Sequence, residues 1–308
     1  MAAIHIGISG WRYAPWRGDF YPKGLAQKRE LQFASRAVNS IEINGSFYAL
    51  QRPERYAQWY AETPENFVFS VKAPRFITHV RRLREIEKPL ANFFASGVLE
   101  LKEKLGPILW QFPPNFKFEP ERFEHFLAQL PRDTEAAAAL ARQHDEHLRG
   151  PVSVKAWRKK PLRHAVEIRN DSFIDPEFVR LLKRHNTALV IADTANKWPY
   201  REDVTSDFVY LRLHGAEELY ASGYSAEALE RWAERIDAWH HGGQPKDAQL
   251  IAPRLKPRAR KSREVFCYFD NDIKVRAPYD ARNLLQRFDL DKDLATVPGD
   301  PAGEGVLA

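Results

Sequence analysis

Residues 165–172 carry an acid and a base inside an apolar strand pattern. Glu167 and Arg169 alternate with two aliphatic residues, so in a β-strand both charges lie on the same face. A buried strand seldom keeps two charges on one face unless they pair with each other or contact a ligand. Both interpretations of Glu167 and Arg169 stay open at this point: a structural ion pair, or part of a ligand site.

Other predicted strands also end in polar residues. Those at or just beyond a strand end are Ser9, Glu42, Asn44, Lys72, His79, Gln111, Asp193, Arg212, His214 and Asn271. Each has a structural alternative when taken alone: a histidine at a strand end is often a hydrogen-bonded core residue, and an aspartate often caps a helix or loop. Taken together, they predict a ligand site, because the carboxyl ends of the strands of an α/β barrel meet at one mouth.

These residue types suit acid–base chemistry on an anionic substrate. We predict Glu167, Asp193, His79 and His214 as catalytic acids and bases, with pKa values separated by their neighbours. Lys72, Arg169 and Arg212 would bind a phosphate or carboxylate, the arginines through their bidentate fork. The remaining predicted substrate-binding residues are Glu42, Asn44, Gln111, Asn271 and Ser9.

No cofactor is predicted. The same carboxylates and histidines could ligate a divalent metal, but the sequence contains neither an HxH nor an HExxH pair, so the metal interpretation is the weaker one. A nucleophile elbow (GxSxG) and a Walker loop (GxxxxGK[ST]) are also missing from the sequence. Cys267 lies within an apolar strand and is interpreted as core.

Strands and helices alternate along the whole chain. The strands are predicted at 4–9, 40–44, 67–72, 106–114, 165–169, 188–193, 208–214 and 264–269, and the helices at 25–37, 51–62, 89–105, 120–130, 176–185, 226–239 and 280–288. This alternation predicts an α/β fold, a single-domain (β/α)8 TIM-type barrel over residues 1–290. The alternative is a doubly wound open sheet, whose Gly-rich phosphate fingerprint does not match Gly7-Ile-Ser-Gly10.

Two excursions, at about 132–163 and 252–263, interrupt this alternation, and a tail at 291–308 is predicted to be disordered. Both excursions are rich in Lys and Arg, and the chain as a whole carries a net charge of +6. They indicate either an ordinary solvated surface or a nucleic-acid interface, with the aromatic loop 11–21 stacking bases.

The composition, 44% hydrophobic and 12% aromatic, excludes global disorder. A single cysteine excludes an internal disulfide and suits a reducing compartment. There is neither a signal-peptide pattern at the start of the sequence nor an apolar run long enough to span a bilayer. We therefore expect a cytoplasmic protein without a membrane partner.

The chain resembles the YecE-like family, domain of unknown function 72. The matching residues are Gly7-Ile-Ser-Gly-Trp11, Tyr13, Trp16, Gly18, Phe20-Tyr-Pro22, Glu42-Ile-Asn44, Phe47-Tyr48, Lys72, Thr78-His79, Leu83, Gln111-Phe-Pro-Pro114, Glu167-Ile-Arg169, Ser172, Arg212-Leu-His-Gly215 and Tyr268-Phe-Asp-Asn-Asp272. Ser46, Phe173 and Asp270 depart from the usual Thr, Trp and Asn. The resemblance implies a TIM barrel and no particular reaction, and a kinship with endonuclease IV-like barrels would imply phosphate or nucleic-acid ligands.

We therefore expect an enzyme of the hydrolase or lyase type, acting at the barrel mouth on an anionic, phosphorylated or sugar-like substrate. Two alternatives remain from the sequence. One is a nucleic-acid-binding protein that uses the basic excursions, and the other is a barrel that binds a ligand without chemistry.

Overall fold

A computed structural model describes residues 2–299 of the chain. Eight parallel strands follow one another around a closed barrel, and β8 pairs with β1 to complete it. The strands are β1 (Ile4–Ser9), β2 (Ser40–Ile43), β3 (Val68–Lys72), β4 (Leu105–Gln111), β5 (His164–Glu167), β6 (Ala188–Asp193), β7 (Phe208–Leu213) and β8 (Glu264–Phe269). The predicted TIM-type barrel is confirmed.

Helices surround this barrel. They are α1 (Glu30–Ala37), α2 (Gly45–Tyr48), α3 (Pro53–Glu62), α4 (Glu87–Ala95), α5 (Pro120–Gln129), α6 (Thr134–Ala141), α7 (Pro176–Arg184), α8 (Ala226–His240) and α9 (Arg276–Gln286). Proline occupies the first turn of α3, α5 and α7, where its missing N–H has no intrahelical partner to lose. Asp175 and Ser225 cap α7 and α8 through their side chains.

The predicted helix 89–105 is two separate pieces. Helix α4 ends at Ala95, and a 3₁₀ segment (Val98–Lys104) follows Gly97. Gly97 has a φ of 112°, and a Cβ there would lie 2.4 Å from the Cα of Pro53. The chain breaks at Gly97 because only glycine adopts this conformation so close to another backbone.

Side chains of each strand alternate between the barrel interior and the outer helices. Inward residues of the lower layers, such as Leu109, Ala165 and Tyr268, form a separate apolar cluster. Outward residues such as Ile41 and Leu211 join the larger core between strands and helices. This alternation brings the last inward residue of each strand to the carboxyl end of the barrel.

The two basic excursions approach the other end of the barrel. Helix α6, in the first of them, packs against α4, and the segment then returns to the start of β5. There Arg163 pairs with Glu264, the first residue of β8, at an Nη2–Oε2 distance of 2.5 Å. The second excursion leads directly into β8. Its Leu255 accepts a hydrogen bond from Lys183 of α7, so both basic segments meet the amino-terminal ends of the strands.

Part of the tail that we predicted to be disordered is packed on the barrel. Thr296 is buried, its N–H donates to the carbonyl oxygen of Arg36 at 3.1 Å, and its hydroxyl donates to that of Phe33 at 3.0 Å. These two bonds hold the tail against α1. Residues 300–308 lie outside the described residues. Within residues 2–299, no helix is both long and apolar enough to cross a membrane.

Candidate functional site

A polar ring closes the carboxyl end of the barrel interior. It consists of the inward side chains Ser9, Glu42, Lys72, Gln111, Glu167, Arg212 and Asp270. All seven are at most 9% exposed. Strand β6 contributes the apolar Ala192 at this level.

Arg212 occupies the centre of the ring and is fully buried. The Nε of its guanidinium donates to Glu42 Oε2 at 3.1 Å. Nη2 donates to Glu42 Oε1 (2.8 Å), Asp270 Oδ2 (2.8 Å) and Ser9 Oγ (3.0 Å). Nη1 donates to Glu167 Oε2 at 2.8 Å and lies 3.4 Å from His214 Nε2. All three nitrogens therefore donate to the protein. The sequence suggested that Arg212 binds an anionic substrate, but the structure leaves no edge of this guanidinium for one.

Two carboxylates beside Arg212, those of Glu167 and Asp270, are held in the ionised form. Burial alone would raise the pKa of Glu167, but Arg212 and Arg169 outweigh it and hold that pKa well below its usual value. Burial likewise opposes ionisation of Asp270, and Arg212 again keeps its pKa below the ordinary range. These carboxylates remain charged at neutral pH. Glu167 is thus unsuited to donate a proton, in contrast to the acid role that its sequence position suggested.

A second layer of hydroxyl groups fixes Glu42. Tyr210 donates to Glu42 Oε2 at 2.6 Å, and Ser9 donates to Glu42 Oε1. Ser70 lies 2.6 Å from the Tyr210 hydroxyl. On the opposite side of the ring, Gln111 donates to Glu167 Oε1 at 2.8 Å. Glu42 and Glu167 are therefore each oriented by hydrogen bonds from neighbouring side chains.

Arg169 lies just beyond β5, above the ring. Its Nε donates to Glu167 Oε1 at 2.9 Å, and its Nη2 donates to the Tyr220 hydroxyl at 3.3 Å. Its guanidinium stacks on the Trp198 ring at 3.7 Å. Nη1 has no hydrogen-bond partner among residues 2–299. Of the two interpretations that the sequence left open, the structure shows the ion pair between Glu167 and Arg169, and this pair leaves Nη1 without a partner among the described residues.

Lys72 differs from Arg212, the other cation of the ring. It is 8% exposed, and within the described part of the chain its Nζ has neither a hydrogen-bond acceptor nor a carboxylate within 4 Å. The ammonium instead lies 4.2 Å from the centroid of the Phe47 ring. Burial, followed by the charge of Arg212, lowers the pKa of Lys72 from 10.5 to about 8.

His79 lies beside Lys72, in a π-helical turn after β3 (Phe76–Val80). It is half-buried, its Nδ1 lies 2.8 Å from the Thr78 hydroxyl, and its ring contacts Phe47 edge-on. Burial, Lys72, Arg169 and Arg75 lower the pKa of His79 to about 4. The imidazole is therefore neutral at pH 7, within a corner of the mouth where positive charge accumulates.

His214 is buried directly beneath the mouth. Its Nδ1 lies 3.0 Å from Asp270 Oδ2, but the contact is not aligned as a hydrogen bond, and Nδ1 has no partner within the described residues. Burial and Arg212 lower the pKa of His214. In a neutral ring with the proton on Nδ1, Nε2 accepts from Arg212 and the proton lies on the side of Asp270.

Besides Arg169, His79 and His214, three more predicted site residues lie outside the ring. Asp193 faces away from the barrel interior and accepts a hydrogen bond from Tyr224 at 3.0 Å, and burial raises its pKa. Asn271 donates to Asp280 of α9 at 2.8 Å, behind β8. Asn44 donates to Ser9 Oγ at 3.1 Å, at the edge of the ring. Asp193 and Asn271 are each one position out of phase with the inward residues of their strands.

Sequence reasoning missed Asp270 as a site residue. The two-residue alternation that turns Phe266 and Tyr268 inward also turns Asp270 inward, so the signal was present in β8. Tyr220 and Trp198, which hold Arg169, come from loops and carry no such signal. Within residues 2–299, no group of three or more His, Cys, Asp and Glu side chains is arranged to hold a metal.

The aromatic loop and the basic excursions do not form one surface. Trp11, Trp16, Phe20 and Tyr21 are buried in the core at the carboxyl end of the barrel. The basic excursions reach the amino-terminal ends of the strands instead. These four rings therefore have no face available for stacking bases, in contrast to the combined interface expected from the sequence.

Comparisons with known proteins agree with this architecture. A family model described as "Protein of unknown function DUF72" matches residues 5–303. The UPF0759 protein YecE of Escherichia coli O157:H7 is 24% identical over 246 residues, which cover 79% of this chain and 84% of that protein. The UPF0759 protein YunF of Bacillus subtilis is 33% identical over 126 residues, covering 38% and 43% of the two chains.

Two solved structures share the fold. A DUF72 family protein from Thermotoga maritima superposes with a TM-score of 0.69 at 23% identity, covering 93% of this chain and 99% of the other. A DUF72 family protein from Enterococcus faecalis gives a TM-score of 0.64 at 18% identity, with coverages of 94% and 99%. At these identities the likeness concerns the fold alone.

Proposed function

The chain belongs to the DUF72 family of proteins of unknown function, and on that premise we propose that it is an enzyme of the lyase or hydrolase type. Its substrate is a small anion bound at the carboxyl mouth of the barrel. The observation that carries this proposal is Lys72, a buried amine without a hydrogen-bond or carboxylate partner within residues 2–299. Every other charged side chain of the ring is paired.

Lys72 is the acid–base group of the proposed reaction. A pKa of about 8 lets the amine exist in both protonation states near neutral pH, which is the condition for efficient proton transfer. An ordinary lysine would be almost wholly protonated there. The adjacent His79, neutral because its pKa is about 4, relays protons between Lys72 and the substrate.

Arg169 is the proposed anchor for the substrate anion, through its Nη1 group, which has no partner among residues 2–299. Trp198 and Glu167 fix the plane of this guanidinium, so little side-chain entropy is lost when an anion binds. Arg212 has a different role: it keeps Glu167 and Asp270 charged and holds Glu42 in place through two hydrogen bonds. We propose that Glu167, His214 and Asp193 hold neighbouring residues in position, because each of these side chains contacts other protein side chains.

A paired binding and turnover assay tests this proposal. Wild-type protein and Lys72→Met are heated with a panel of small carboxylates, phosphates and phosphorylated sugars, and compounds that raise Tm are then followed by NMR for conversion. An anion at a hundred times its Kd stabilises the folded state by about 2.7 kcal/mol. We expect at least one such anion, and conversion of it only by the wild type.

Two results would contradict the proposal. If no anion in the panel raises Tm, the substrate class is wrong. If Lys72→Met converts the compound as fast as the wild type, Lys72 is not the acid–base group. Stabilisation without conversion by any member of the panel would instead support a barrel that binds its ligand without chemistry.

A second candidate function, nucleic-acid binding, has one observation in its favour. Arg254, Lys256, Arg258 and Lys261, at the amino-terminal end of the barrel, are exposed and have no carboxylate partner among the described residues. Unpaired cations that neutralise phosphates release counterions and produce a steep salt dependence. Fluorescence anisotropy with a DNA duplex and a single strand tests this, comparing Arg258→Ser/Lys261→Ser with the exposed control pair Lys23→Ser/Lys28→Ser. Binding that is insensitive to salt, or equal in both double variants, would exclude it.

A further inference from the structure

Two lysines are buried among residues 2–299, and one of them donates hydrogen bonds to the protein while the other does not. Lys104 is 4% exposed, and its amine donates to Tyr60 O (2.6 Å), Thr63 O (2.8 Å) and Thr63 Oγ1 (3.2 Å). Lys72 is 8% exposed and has none of these bonds. Burying an ammonium group without a partner costs desolvation free energy, and packing contacts do not compensate for that cost. The comparison indicates that the Lys72 amine is kept free for a reaction partner.

We propose that Lys72 forms a covalent imine with an anionic carbonyl compound, such as a 2-oxo acid or a phosphorylated ketone or aldehyde. This rests on the proposed function, since it specifies how the same amine acts. Lys72 points into the mouth, between the Phe47 ring and the paired charges of the polar ring. A carbonyl carbon that reaches Nζ meets no competing hydrogen bond, whereas at Lys104 three oxygens occupy the amine.

The chemistry requires no cofactor. The lone pair of the neutral amine attacks the carbonyl carbon, a C–N bond forms as the C=O π bond breaks, and one proton passes from the nitrogen to the oxygen. The resulting carbinolamine then loses its hydroxyl as water, with the second proton of the nitrogen, while the C–O bond breaks and the nitrogen lone pair forms the C=N bond. One amine and one carbonyl thus give one imine and one water, without oxidation or reduction.

The neutral fraction of the amine decides whether this step is feasible at pH 7. A pKa of about 8 leaves about a tenth of Lys72 neutral, whereas a pKa of 10.5 would leave only about three molecules in ten thousand. The carboxylates Asp270, Glu42 and Glu167 also act on Lys72 from the ring, and they partly offset the effect of burial and Arg212 on a cation at Nζ.

The charged groups around Lys72 also define the substrate. Arg169 and Arg75 both act electrostatically on His79, so the side of the mouth next to Lys72 carries excess positive charge. A carboxylate or phosphate near this corner places the adjacent carbonyl within reach of the amine. His79, with its Nδ1 beside Thr78, can transfer the protons that carbinolamine formation and water loss require.

Borohydride trapping tests the imine directly. Full-length protein at pH 7 is incubated with pyruvate, with dihydroxyacetone phosphate or with uncharged dihydroxyacetone, reduced with sodium borohydride, and digested for peptide mass spectrometry. We expect a reduced adduct on Lys72 with at least one of the two anionic probes, much less with the uncharged probe, and none on Lys104. Lys72→Arg should abolish it, and the site assignment in the wild type stands even if that variant folds poorly.

Each other outcome has a defined meaning. Adducts spread over Lys104 and surface lysines, or none on Lys72, would overturn the imine. An equal adduct from dihydroxyacetone would overturn the anionic substrate class. Absence of an adduct while anions still raise Tm and are converted in a Lys72-dependent way would leave the acid–base function intact, so the two proposals fail separately.

Discussion

Replacing Lys72 with methionine is expected to stabilise the folded protein at neutral pH. The pKa of Lys72 falls from 10.5 to about 8 on folding, and each step of one in pKa corresponds to about 1.4 kcal/mol. Keeping the ammonium charged therefore costs the folded state about 3 kcal/mol at pH 7. Methionine has a similar length and no charge. Because it also loses the ammonium contact with Phe47, worth about 1 kcal/mol, the net gain should be about 2 kcal/mol.

The sign of the pH dependence follows from the direction of the shift. Since the folded-state pKa of Lys72 lies below the unfolded value, the unfolded chain binds more protons at this site between pH 8 and 10.5. Wild-type stability therefore gains a contribution as pH rises through this range. The advantage of Lys72→Met is largest below pH 8 and should disappear, or reverse slightly, near pH 10.5.

Urea unfolding at pH 7 and pH 10, followed by circular dichroism, measures both effects. Lys104→Met is the matched control, because it removes three hydrogen bonds from a lysine of similar burial and should cost about 1–3 kcal/mol. The reasoning would be refuted if Lys72→Met were less stable than wild type at pH 7. A stability difference that does not change between the two pH values would refute it equally.

Three further predictions concern the frame around the site. Arg212→Met leaves buried carboxylates without a compensating charge, and we expect it to lower the free energy of unfolding by at least about 3 kcal/mol in urea at pH 7. Part of this loss should be recovered as the pH falls towards 4, because those carboxylates then protonate in the folded state. Full stability of the variant at pH 7 would contradict this. Gly7→Ala should yield little folded protein by gel filtration, since its Cβ would lie 1.7 Å from the Ser40 oxygen, whereas a normal yield would show that β1 can shift away from β2. Asp175→Ala removes the cap of α7, whose side chain accepts from Glu177 N at 2.7 Å, and should lower the free energy of unfolding by about 1 kcal/mol; an unchanged urea midpoint would show that the cap contributes nothing.

The barrel could be predicted because its signal is local and repeated. All eight strands showed apolar runs or alternation at the right spacing, and sequence order alone then determines which strands become neighbours in a parallel barrel. Helix boundaries were less certain. The 89–105 helix appeared continuous, and its break at Gly97 depends on how closely Pro53 approaches, which is a tertiary contact.

The sequence predicted where the site lies, but it did not predict which side chains point into it and how they pair. The strand-end rule brought Glu42, Lys72 and Glu167 to one mouth. It gave Asp193 and Asn271 the same weight, although the pleat turns both of them away from the barrel interior. A stricter use of the two-residue period would have selected Asp270 in place of Asn271.

The sequence by itself determined a barrel, the end at which its polar residues gather, and that Glu167 and Arg169 share one face of the strand predicted at 165–169. Only the tertiary structure decided that all three guanidinium nitrogens of Arg212 donate to protein groups, whereas the Lys72 amine has no hydrogen-bond or carboxylate partner among residues 2–299. The physical reason is that strand periodicity specifies which side chains point inward, whereas hydrogen-bond geometry depends on distances across the barrel between residues far apart in the chain. Glu42 and Arg212 are separated by 170 positions, and no local pattern encodes their contact.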